Sequence, residues 1–480
     1  MPDSSRSGSP RRVIPIAAQP QEESVRLYAA SKKIYPRSIS GVFARWRWGM
    51  VFLTQGVFYG LPWLEWGGRQ SMLFDLAARR FYLFGLVLYP QDLIYLAGLL
   101  VISALSLFLF TAVAGRLWCG FSCPQTVYSE IFLWVEHKVE GNRNARMRLD
   151  GETLSTEKLV KKSFKHLVWL GIAMWTGFTF VGYFTPIRVL GLEFLQTQLG
   201  SWEVFWVFFY AFATYGNAGF MREQVCKYMC PYARFQSAMF DRDTLVVSYD
   251  APRGEPRAPR GRHVDAQAQG LGDCIDCGLC VQVCPTGIDI RNGLQYECIG
   301  CGLCVDACNT VMEKMNYPTG LIRLDTTNGL SAVGSPLQRM RRLLRPRVLI
   351  YSAVLGLLVI GMLVSLVVRT PLKVNVMRDR ASLARIVEGG RLENVYRLQI
   401  MNATEKLQRY RISAEGIEGI VAATDVPVTE IGPAESRQVA VRLQIPFDAR
   451  PAGSHQVHIG VREEGGSAQV SEKAAFIVPR

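Results

Sequence analysis

Five apolar segments divide the chain, and each is edged by Trp, Tyr or Arg side chains. The segments are Trp48 to Leu64, Asp92 to Ala114, His166 to Phe184, Trp202 to Phe220 and Val348 to Val368. A soluble core helix explains one such segment but not five with aromatic and basic borders, so the pattern predicts about five transmembrane helices. The run Phe81 to Tyr89 is apolar but too short to cross a bilayer, and we expect an interfacial or re-entrant piece there.

From Pro371 onward, long apolar segments give way to short alternation of apolar and polar residues. Short alternating runs, such as Val395 to Ile400 and Val439 to Leu443, are separated by Gly, Pro, Asp and Asn clusters. Alternation with frequent turn residues is typical of an antiparallel sandwich. The sequence therefore predicts an all-β domain over residues 371–480, with a docking or structural task.

Basic residues set the expected orientation in the membrane. Counting Lys and Arg between the segments gives nine before the first, three after it, nine between the second and third, and one between the third and fourth. This alternation places the N-terminus, the second loop and residues 226–347 in the cytoplasm, and the C-terminal domain on the far side. Residues 1–45 are rich in Ser, Pro and Arg. They are predicted to form a disordered cytoplasmic tail, with an amphipathic helix from Val25 to Ile34 as the alternative, and residues 46–225 a four-helix membrane domain.

Composition narrows the possible partners. The 480 residues carry a net charge of +14, and 49% are hydrophobic. The basic residues stand beside apolar runs instead of forming one patch, which favours membrane orientation over nucleic-acid binding. All twelve cysteines occur at or before Cys308, and thiolate ligands persist best in the reducing cytosol.

Eight cysteines repeat one spacing. The first copy is Cys274, Cys277, Cys280 and Cys284 followed by Pro285, and the second is Cys298, Cys301, Cys304 and Cys308. This is the bacterial run that holds two cubane iron-sulfur clusters, in which each fourth cysteine reaches across to the other cluster. Zinc usually takes paired C-x2-C clips with a longer gap, which is a different pattern. We therefore predict a ferredoxin domain over residues 265–315 with two [4Fe-4S] clusters.

The crossed pairing defines two groups of ligands. The first thiol set is Cys274, Cys277, Cys280 and Cys308, and the second thiol set is Cys284, Cys298, Cys301 and Cys304. Gly278 and Gly302 precede the third cysteine of each run. Because a backbone wrapped around a cluster needs residues that tolerate positive φ, these glycines fit the same prediction.

The four remaining cysteines form two C-x3-C-P motifs, one after each of two predicted membrane hairpins. We call Cys119, Cys123, Cys226 and Cys230 the hairpin thiols. If each motif is helical, an i, i+4 pair puts both sulfurs on one face, where they could clip a soft ion. Three interpretations stay open: a copper site to which Met229 could add a thioether, a third iron-sulfur cluster, or inert buried cysteines.

The sequence gives little evidence for haem or for a dinucleotide cofactor. A transmembrane haem generally needs paired axial histidines, and His137 and His166 lie on the cytoplasmic edge, where we expect them to cap helices or meet Glu136 and Glu140. No Gly-rich dinucleotide fingerprint follows a predicted strand. Electrons are therefore expected from a quinol, a soluble donor or an unmarked partner.

Several further motifs carry a family resemblance. They are Leu27 to Pro36, Arg80 to Gly85, Trp118 to Pro124, Trp134 to Gly141 and Cys226 to Pro231, together with both ferredoxin runs. Over nearly its whole length the sequence resembles the cytochrome oxidase accessory proteins called CcoG, FixG or RdxA. The resemblance implies a membrane polyferredoxin with a C-terminal immunoglobulin-like domain, and copper handling at the hairpin thiols.

The resulting hypothesis is a multi-pass bacterial inner-membrane protein with cytoplasmic clusters and a periplasmic sandwich. It would act as a cupric reductase that supplies Cu(I) for biogenesis of cbb3-type cytochrome oxidase, with assembly factors or copper chaperones as partners. Two alternatives remain. One is a quinol-oxidising electron-transfer protein, like the membrane ferredoxins of periplasmic nitrate reduction or nitrous oxide respiration, and the other is a non-catalytic assembly scaffold.

Overall fold

Helices dominate the first half of the protein in the computed structural model, which describes residues 33–264, 268–331, 344–379, 384–387 and 389–479. These helices are α1 (Val42–Gly60), α2 (Leu93–Ala114), α3 (Leu117–Phe121), α4 (Pro124–Glu140), α5 (Arg143–Gly151), α6 (Thr156–Val181), α7 (Ile187–Leu195) and α8 (Ser201–Gly216). Most of the predicted N-terminal tail, up to residue 32, and most of the alternative helix from Val25 lie outside the described residues.

Among the residues that the structure describes, two helices are long and apolar enough to cross a membrane. They span Pro90–Ala114, which contains α2, and Pro346–Val368, and their most apolar windows have a mean hydropathy of 2.5 with 0% and 6% of residues buried. Apolar helices that bury almost nothing within the chain fit a lipid environment. The other three predicted spans fall on α1, α6 and α8, and their crossing of the membrane stays a prediction.

The segment Phe81 to Tyr89 forms strands of a small sheet instead of a re-entrant piece, and its position at the membrane interface stays a prediction. A short hairpin, β1 (Glu65–Trp66) and β2 (Arg69–Gln70), precedes three antiparallel strands, β3 (Met72–Asp75), β4 (Arg80–Leu83) and β5 (Leu86–Leu88). Tyr82, Val87 and Tyr89 are buried against Met401 and Ala434 of the C-terminal domain. The apolarity of this run thus serves protein packing instead of lipid contact.

The cysteine-rich segment forms its own small core. Its elements are α9 (Pro231–Met239), β6 (Val246–Tyr249), α10 (Ala251–Gly254), α11 (Leu279–Gln282), α12 (Leu303–Met315), β7 (Ile322–Asp325) and α13 (Thr327–Ser331). Strands β6 and β7 pair antiparallel, with Val247 opposite Leu324. Val247, Val305, Met312 and Ile322 are buried beneath the cysteine loops. We call residues 246–325 the ferredoxin insert.

The C-terminal region is a two-sheet sandwich, which confirms the predicted all-β fold. Its strands are β8 (Leu372–Arg378), β9 (Arg385–Val387), β10 (Arg391–Asn402), β11 (Gln408–Glu415), β12 (Val421–Thr424), β13 (Val428–Ile431), β14 (Ser436–Pro446), β15 (Gly453–Glu463) and β16 (Gln469–Val478). One sheet has the order β12-β14-β10-β8 with β9 also on β10, and the other has the order β13-β11-β15-β16. Alternate residues such as Leu398 and Ile400, or Val457 and Ile459, point into the core between the sheets.

Two helices join this sandwich to the ferredoxin insert. Helix α14 (Pro346–Val368) leads directly into β8 and lies against α2, where Tyr95 and Ser365 have hydroxyl oxygens 3.0 Å apart. At the sandwich end, buried Asp92 accepts from Arg369 at 2.6 Å and pairs with Lys373 at 3.2 Å. At the other end, Leu245 beside β6 donates its N–H to the Val113 carbonyl. The sandwich and the cysteines therefore occupy opposite ends of the α2–α14 pair.

Candidate metal centre

The structure brings the ferredoxin cysteines together in the two crossed groups. The pKa of Cys308 is raised to about 12, first by burial and then by the nearby thiols of Cys280, Cys274 and Cys277. Burial likewise raises the pKa of Cys304, with added repulsion first from Cys301, Cys298 and Cys284. Cys308 thus lies among the first thiol set, and Cys284 lies among the second.

The loops around these thiols fit iron-sulfur clusters. Gly278 and Gly302 have φ of 66° and 73°, and each precedes a helix that carries the third cysteine of its run. A small cavity is lined by Cys280, Cys284, Cys298, Cys301 and Cys304, with Ile288, Ile290 and Ile299 as an apolar shell. Soft thiols around an apolar cavity are the donor set that iron-sulfur clusters use. When bound, clusters supply one-electron carriers at these positions.

Both C-x3-C-P motifs adopt the same local backbone. In the first motif the Cys123 N–H bonds to the Trp118 carbonyl, and in the second the Cys230 N–H bonds to the Val225 carbonyl, each spanning five residues. The following prolines, Pro124 and Pro231, begin helices α4 and α9. Proline is favoured at the first helical position because its missing N–H has no partner there anyway. The repeat predicted from the sequence is thus present in three dimensions: the first cysteine of each motif lies in a helical turn, α3 or the π-helical turn Val225–Met229, and the second cysteine closes that turn with a wider hydrogen bond.

The two motifs meet although they are far apart in sequence. Burial raises the pKa of Cys226 to about 12, with repulsion from Cys123, Cys119 and Cys230 adding to the shift. Burial also raises the pKa of Cys119 to about 11, and its S–H donates to the side-chain oxygen of Gln236 at 3.4 Å. All four hairpin thiols therefore share one partly buried site.

Helix α3 presses this site against the ferredoxin insert. A Cβ placed on Gly120, between Cys119 and Cys123, would lie 2.8 Å from the Cys301 Cα and from the Ile299 carbonyl oxygen. These neighbours are backbone atoms, so only glycine allows the contact. The Gly120 carbonyl also accepts from the buried Arg47 guanidinium at 3.1 Å. The backbone next to Cys119 therefore contacts the backbone of Cys301, a member of the second thiol set.

Arg116 is a buried cation between the same two groups of thiols. Its guanidinium donates to the Cys298 carbonyl at 3.4 Å and to the Ala233 carbonyl, and its Nε has no hydrogen-bond partner within the described part of the chain. Burial lowers the pKa of Arg116, whereas the thiolates of Cys119 and Cys298 raise it. A buried, incompletely paired cation fits an environment that gains negative charge, as thiolate-bound metal centres do.

The spacing of the thiols bears on which metal they could hold. Over the residues that the structure describes, no three Cys, His, Asp or Glu side chains converge on a point as a single metal ion requires. A metal–thiolate bond is short, about 2.3 Å for zinc, whereas a four-iron cluster puts a whole cage between its ligands. One pair of hairpin thiols could still hold a two-coordinate ion.

Sequence reasoning missed Arg116, Gly120 and Gln236. In the sequence, Arg116 at the end of a predicted span indicates only membrane orientation. No sequence motif identifies a glycine that packs against a loop far away in the chain. His166 was expected to meet an acidic neighbour, but its Nδ1 lies 2.9 Å from the Tyr215 hydroxyl and its ring stacks on Phe220. His137 lies in the last turn of α4, as a helix-capping role requires.

Comparisons with known proteins place these features in a wider group. Residues 96–141 match the model of a 4Fe-4S binding domain, residues 221–327 that of a 4Fe-4S dicluster domain, and residues 362–479 that of the Ig-like fold at the C-terminus of FixG. The first two matches contain all four hairpin thiols. The third agrees with the predicted immunoglobulin-like sandwich.

Individual relatives cover most of the chain. Nitrogen fixation protein FixG of Rhizobium meliloti (strain 1021) is 37% identical over 431 residues, which are 83% of this chain and 81% of that protein. Protein RdxA of Cereibacter sphaeroides is 38% identical over 472 residues, 94% of this chain and 98% of that protein. A crystal structure of a FixG-related protein from Vibrio parahaemolyticus is 20% identical, with a TM-score of 0.21, and covers 23% of this chain and 97% of its own.

Proposed function

This chain belongs to the family of FixG and RdxA, and from that premise we propose that it reduces Cu(II) to Cu(I) for the biogenesis of a cbb3-type cytochrome oxidase. The family and the matched domains make it a membrane-associated iron-sulfur electron-transfer protein. The copper step, the oxidase and the partners belong to the proposal. Copper chaperones or oxidase assembly factors would receive the product.

One observation carries the proposal: the hairpin thiols lie directly behind the second thiol set. The backbone at Gly120, next to Cys119, contacts the backbone of Cys301 in that set. Electrons held at Cys284, Cys298, Cys301 and Cys304 would therefore have a short path to a soft ion at the hairpin thiols. Arg116 faces both groups and would stabilise the added negative charge.

Copper suits the hairpin thiols because thiolates select soft ions. Cu(I) is softer than Cu(II), so reduction strengthens binding to thiolate and thioether ligands. A two-coordinate ion on one C-x3-C pair needs no convergence of all four thiols. Met229, 56% exposed beside Cys230, is available as a thioether donor.

The proposed orientation follows from the two ends of the α2–α14 pair. If the cysteines lie in the cytoplasm of a bacterium, the sandwich lies in the periplasm, because both helices run from one end to the other. The positions of α1, α6 and α8 would add three further spans. The sandwich would then be free to contact periplasmic oxidase subunits or chaperones.

A single-turnover experiment tests the copper step. The purified full-length protein is reduced anaerobically, freed of reductant, and mixed with Cu(II) in the presence of the Cu(I) chelator bathocuproine disulfonate. We expect the cluster absorbance to return to the oxidised spectrum as Cu(I) appears, one ion per electron. Zn(II), which has no accessible reduced state, serves as the control. Failure of Cu(II) to reoxidise the protein would refute the proposal.

A third iron-sulfur cluster at the hairpin thiols is the second candidate. The match of residues 96–141 to a 4Fe-4S binding domain favours it, because that region contains Cys119 and Cys123 but no ferredoxin cysteine. The protein would then be an electron carrier with about twelve irons instead of about eight. Iron analysis of the hairpin-thiol variant, described below, distinguishes the two candidates.

A further inference from the structure

A cavity lies where the ferredoxin insert meets α1 and α4. Its volume is about 110 Å³, and it is partly open to solvent. Val283, Pro285 and Leu303 form one wall, and they are chain neighbours of Cys284 and Cys304. A molecule in this cavity would therefore lie next to two ligands of the second thiol set.

Three buried nitrogens beside the cavity have no hydrogen-bond partner among the residues that the structure describes. They are Arg47 Nη1, His137 Nδ1 and Arg146 Nε, and all three side chains line the cavity. Arg47 and Arg146 are only 2% and 3% exposed. A buried donor without a partner costs about 1–3 kcal/mol, so three at one cavity point to a missing acceptor.

The opposite wall is aromatic. Trp48 and Trp134 meet edge to face with ring centroids 6.2 Å apart, and Leu133 completes this side. The outer surface of α1 next to this wall is apolar and exposed, with Trp46, Phe52 and Leu53 at 67%, 72% and 59% exposure. A lipid-soluble aromatic molecule could reach the cavity from that surface.

From these features we propose that the cavity binds a quinol, which is the electron donor of the protein. The ring would pack against Trp48 and Trp134, and its oxygens would accept from Arg47, His137 and Arg146. This inference rests on the proposed electron-transfer function and adds the chemical class of the donor.

The stoichiometry of quinol oxidation fits the surroundings of the cavity. A quinol releases two electrons and two protons to become a quinone. The two thiol sets, each holding a one-electron cluster, accept one electron apiece. Glu130, whose carboxylate is 3.0 Å from the Arg47 guanidinium, lines the cavity and can take one proton, and the second proton leaves to the solvent to which the cavity is partly open.

Binding is measured apart from electron transfer. Oxidised decylubiquinone is titrated into the detergent-solubilised full-length protein, and quenching of tryptophan fluorescence reports occupancy. We expect saturable quenching in the wild type. In Leu133→Trp, which fills the cavity and leaves the polar groups in place, the Kd should rise at least tenfold. His137→Leu, which removes one donor, should raise the Kd about tenfold, the equivalent of about 1.4 kcal/mol. Leu170→Trp, on an exposed position of α6, is the matched control and should bind as the wild type does.

Electron delivery is then measured with decylubiquinol under anaerobic conditions, by bleaching of the cluster absorbance. We expect Leu133→Trp to slow this reduction about tenfold, while reduction by dithionite and the iron content stay unchanged.

Absence of saturable binding in the wild type, or equal binding by Leu133→Trp, would overturn the quinol site. If the site fails in this way but dithionite-reduced protein still converts Cu(II) to Cu(I), the proposed copper function survives without it. If quinol reduces the clusters but Cu(II) does not reoxidise them, the quinol site stands and the copper function falls.

Discussion

The ferredoxin cysteines and the hairpin thiols are built in opposite ways. Eight cysteines within residues 274–308 are gathered by one short stretch of chain, whose glycines turn the backbone at Gly278 and Gly302. The hairpin thiols come from two motifs separated by more than a hundred residues, and helices α4 to α8 lie between those motifs. One centre is therefore specified locally and the other by the packing of the helical region.

This difference predicts how each centre responds to change. A local centre depends on its own ligands and on the loops that hold them. A centre assembled from distant parts also depends on every contact that sets its position, here Gly120 against the cluster loop and Arg116 between the two groups. Mutations outside the cysteines should therefore affect the hairpin thiols more than the ferredoxin insert.

The largest effect should come from replacing Cys119, Cys123, Cys226 and Cys230 together with Ser. We expect Cu(I) production to fall by at least about a hundredfold, because serine hydroxyls are hard and poor ligands for copper. The iron content should stay at about eight per chain, since both ferredoxin sets are intact. Single-turnover reoxidation and iron analysis measure both quantities.

The matched variant changes Cys304, a partly buried member of the second thiol set, to Ser. It should lose about four irons and with them the electron path to copper. A loss of about four irons in the hairpin-thiol variant would instead identify a third cluster, and unchanged iron with unchanged copper reduction would leave those four cysteines without a redox role.

The next largest effect should follow Gly120→Ala. An alanine in a helix is normally more stable than glycine by up to about 1 kcal/mol. Here the added Cβ would lie 2.8 Å from backbone atoms of Ile299 and Cys301, so α3 must move away from the cluster loop. We expect Cu(II)-dependent reoxidation to slow between about tenfold and a hundredfold with iron content retained.

Gly171→Ala in α6 is the control for this substitution, because a Cβ there meets no atom within 4 Å. That variant should keep the wild-type rate. Equal rates in Gly120→Ala and the wild type would mean that the contact does not set the electron path.

The sequence specified the local centre far better than the assembled one. Spacing alone separated the two ferredoxin thiol sets, since the ligands of each cluster are fixed by a few turns of backbone. The C-x3-C-P repeat was also visible, but its wide turn and the meeting of its two copies depend on helix packing that no short pattern encodes. Phe81 to Tyr89 failed for the same reason: its apolar side chains meet Met401 and Ala434, more than three hundred residues away.

A smaller effect is expected from removing the charge of Arg116, which lies between the hairpin thiols and the second thiol set. Arg116→Gln removes a cation that stabilises the reduced, more negative state of a cluster held by Cys298. The equilibrium constant for reducing that cluster should fall about tenfold, which is 59 mV for a one-electron couple. Potentiometric titration followed by electron paramagnetic resonance measures this shift.

Arg116→Lys keeps the positive charge and should restore most of the potential, whereas Arg188→Gln, on an exposed position of α7, should not change it. An unchanged potential in Arg116→Gln would show that the guanidinium serves only packing.

The smallest effect concerns Gln236, which is fully buried and lies 3.4 Å from the Cys119 sulfur. Burial raises the pKa of Cys119 to about 11, and the Cys119 S–H donates to Oε1 of Gln236, a bond that the thiolate cannot make. In metal-free protein, alkylation of Cys119 should therefore accelerate about tenfold per pH unit from pH 8 to 10, since only the thiolate reacts.

Gln236→Met removes this acceptor and should lower the pKa of Cys119 by about half a unit, for a bond of about 0.7 kcal/mol. At pH 9 the thiolate fraction, and with it the alkylation rate measured by mass spectrometry, should rise about threefold. Thr111 remains bonded to the Tyr232 hydroxyl at 2.6 Å, so the variant leaves it with a partner. Exposed Cys277 in the same sample is the internal control. A rate at Cys119 that is unchanged or slower in Gln236→Met would show that the amide does not favour the thiol, and that position by helix packing alone determines the reactivity of the hairpin thiols.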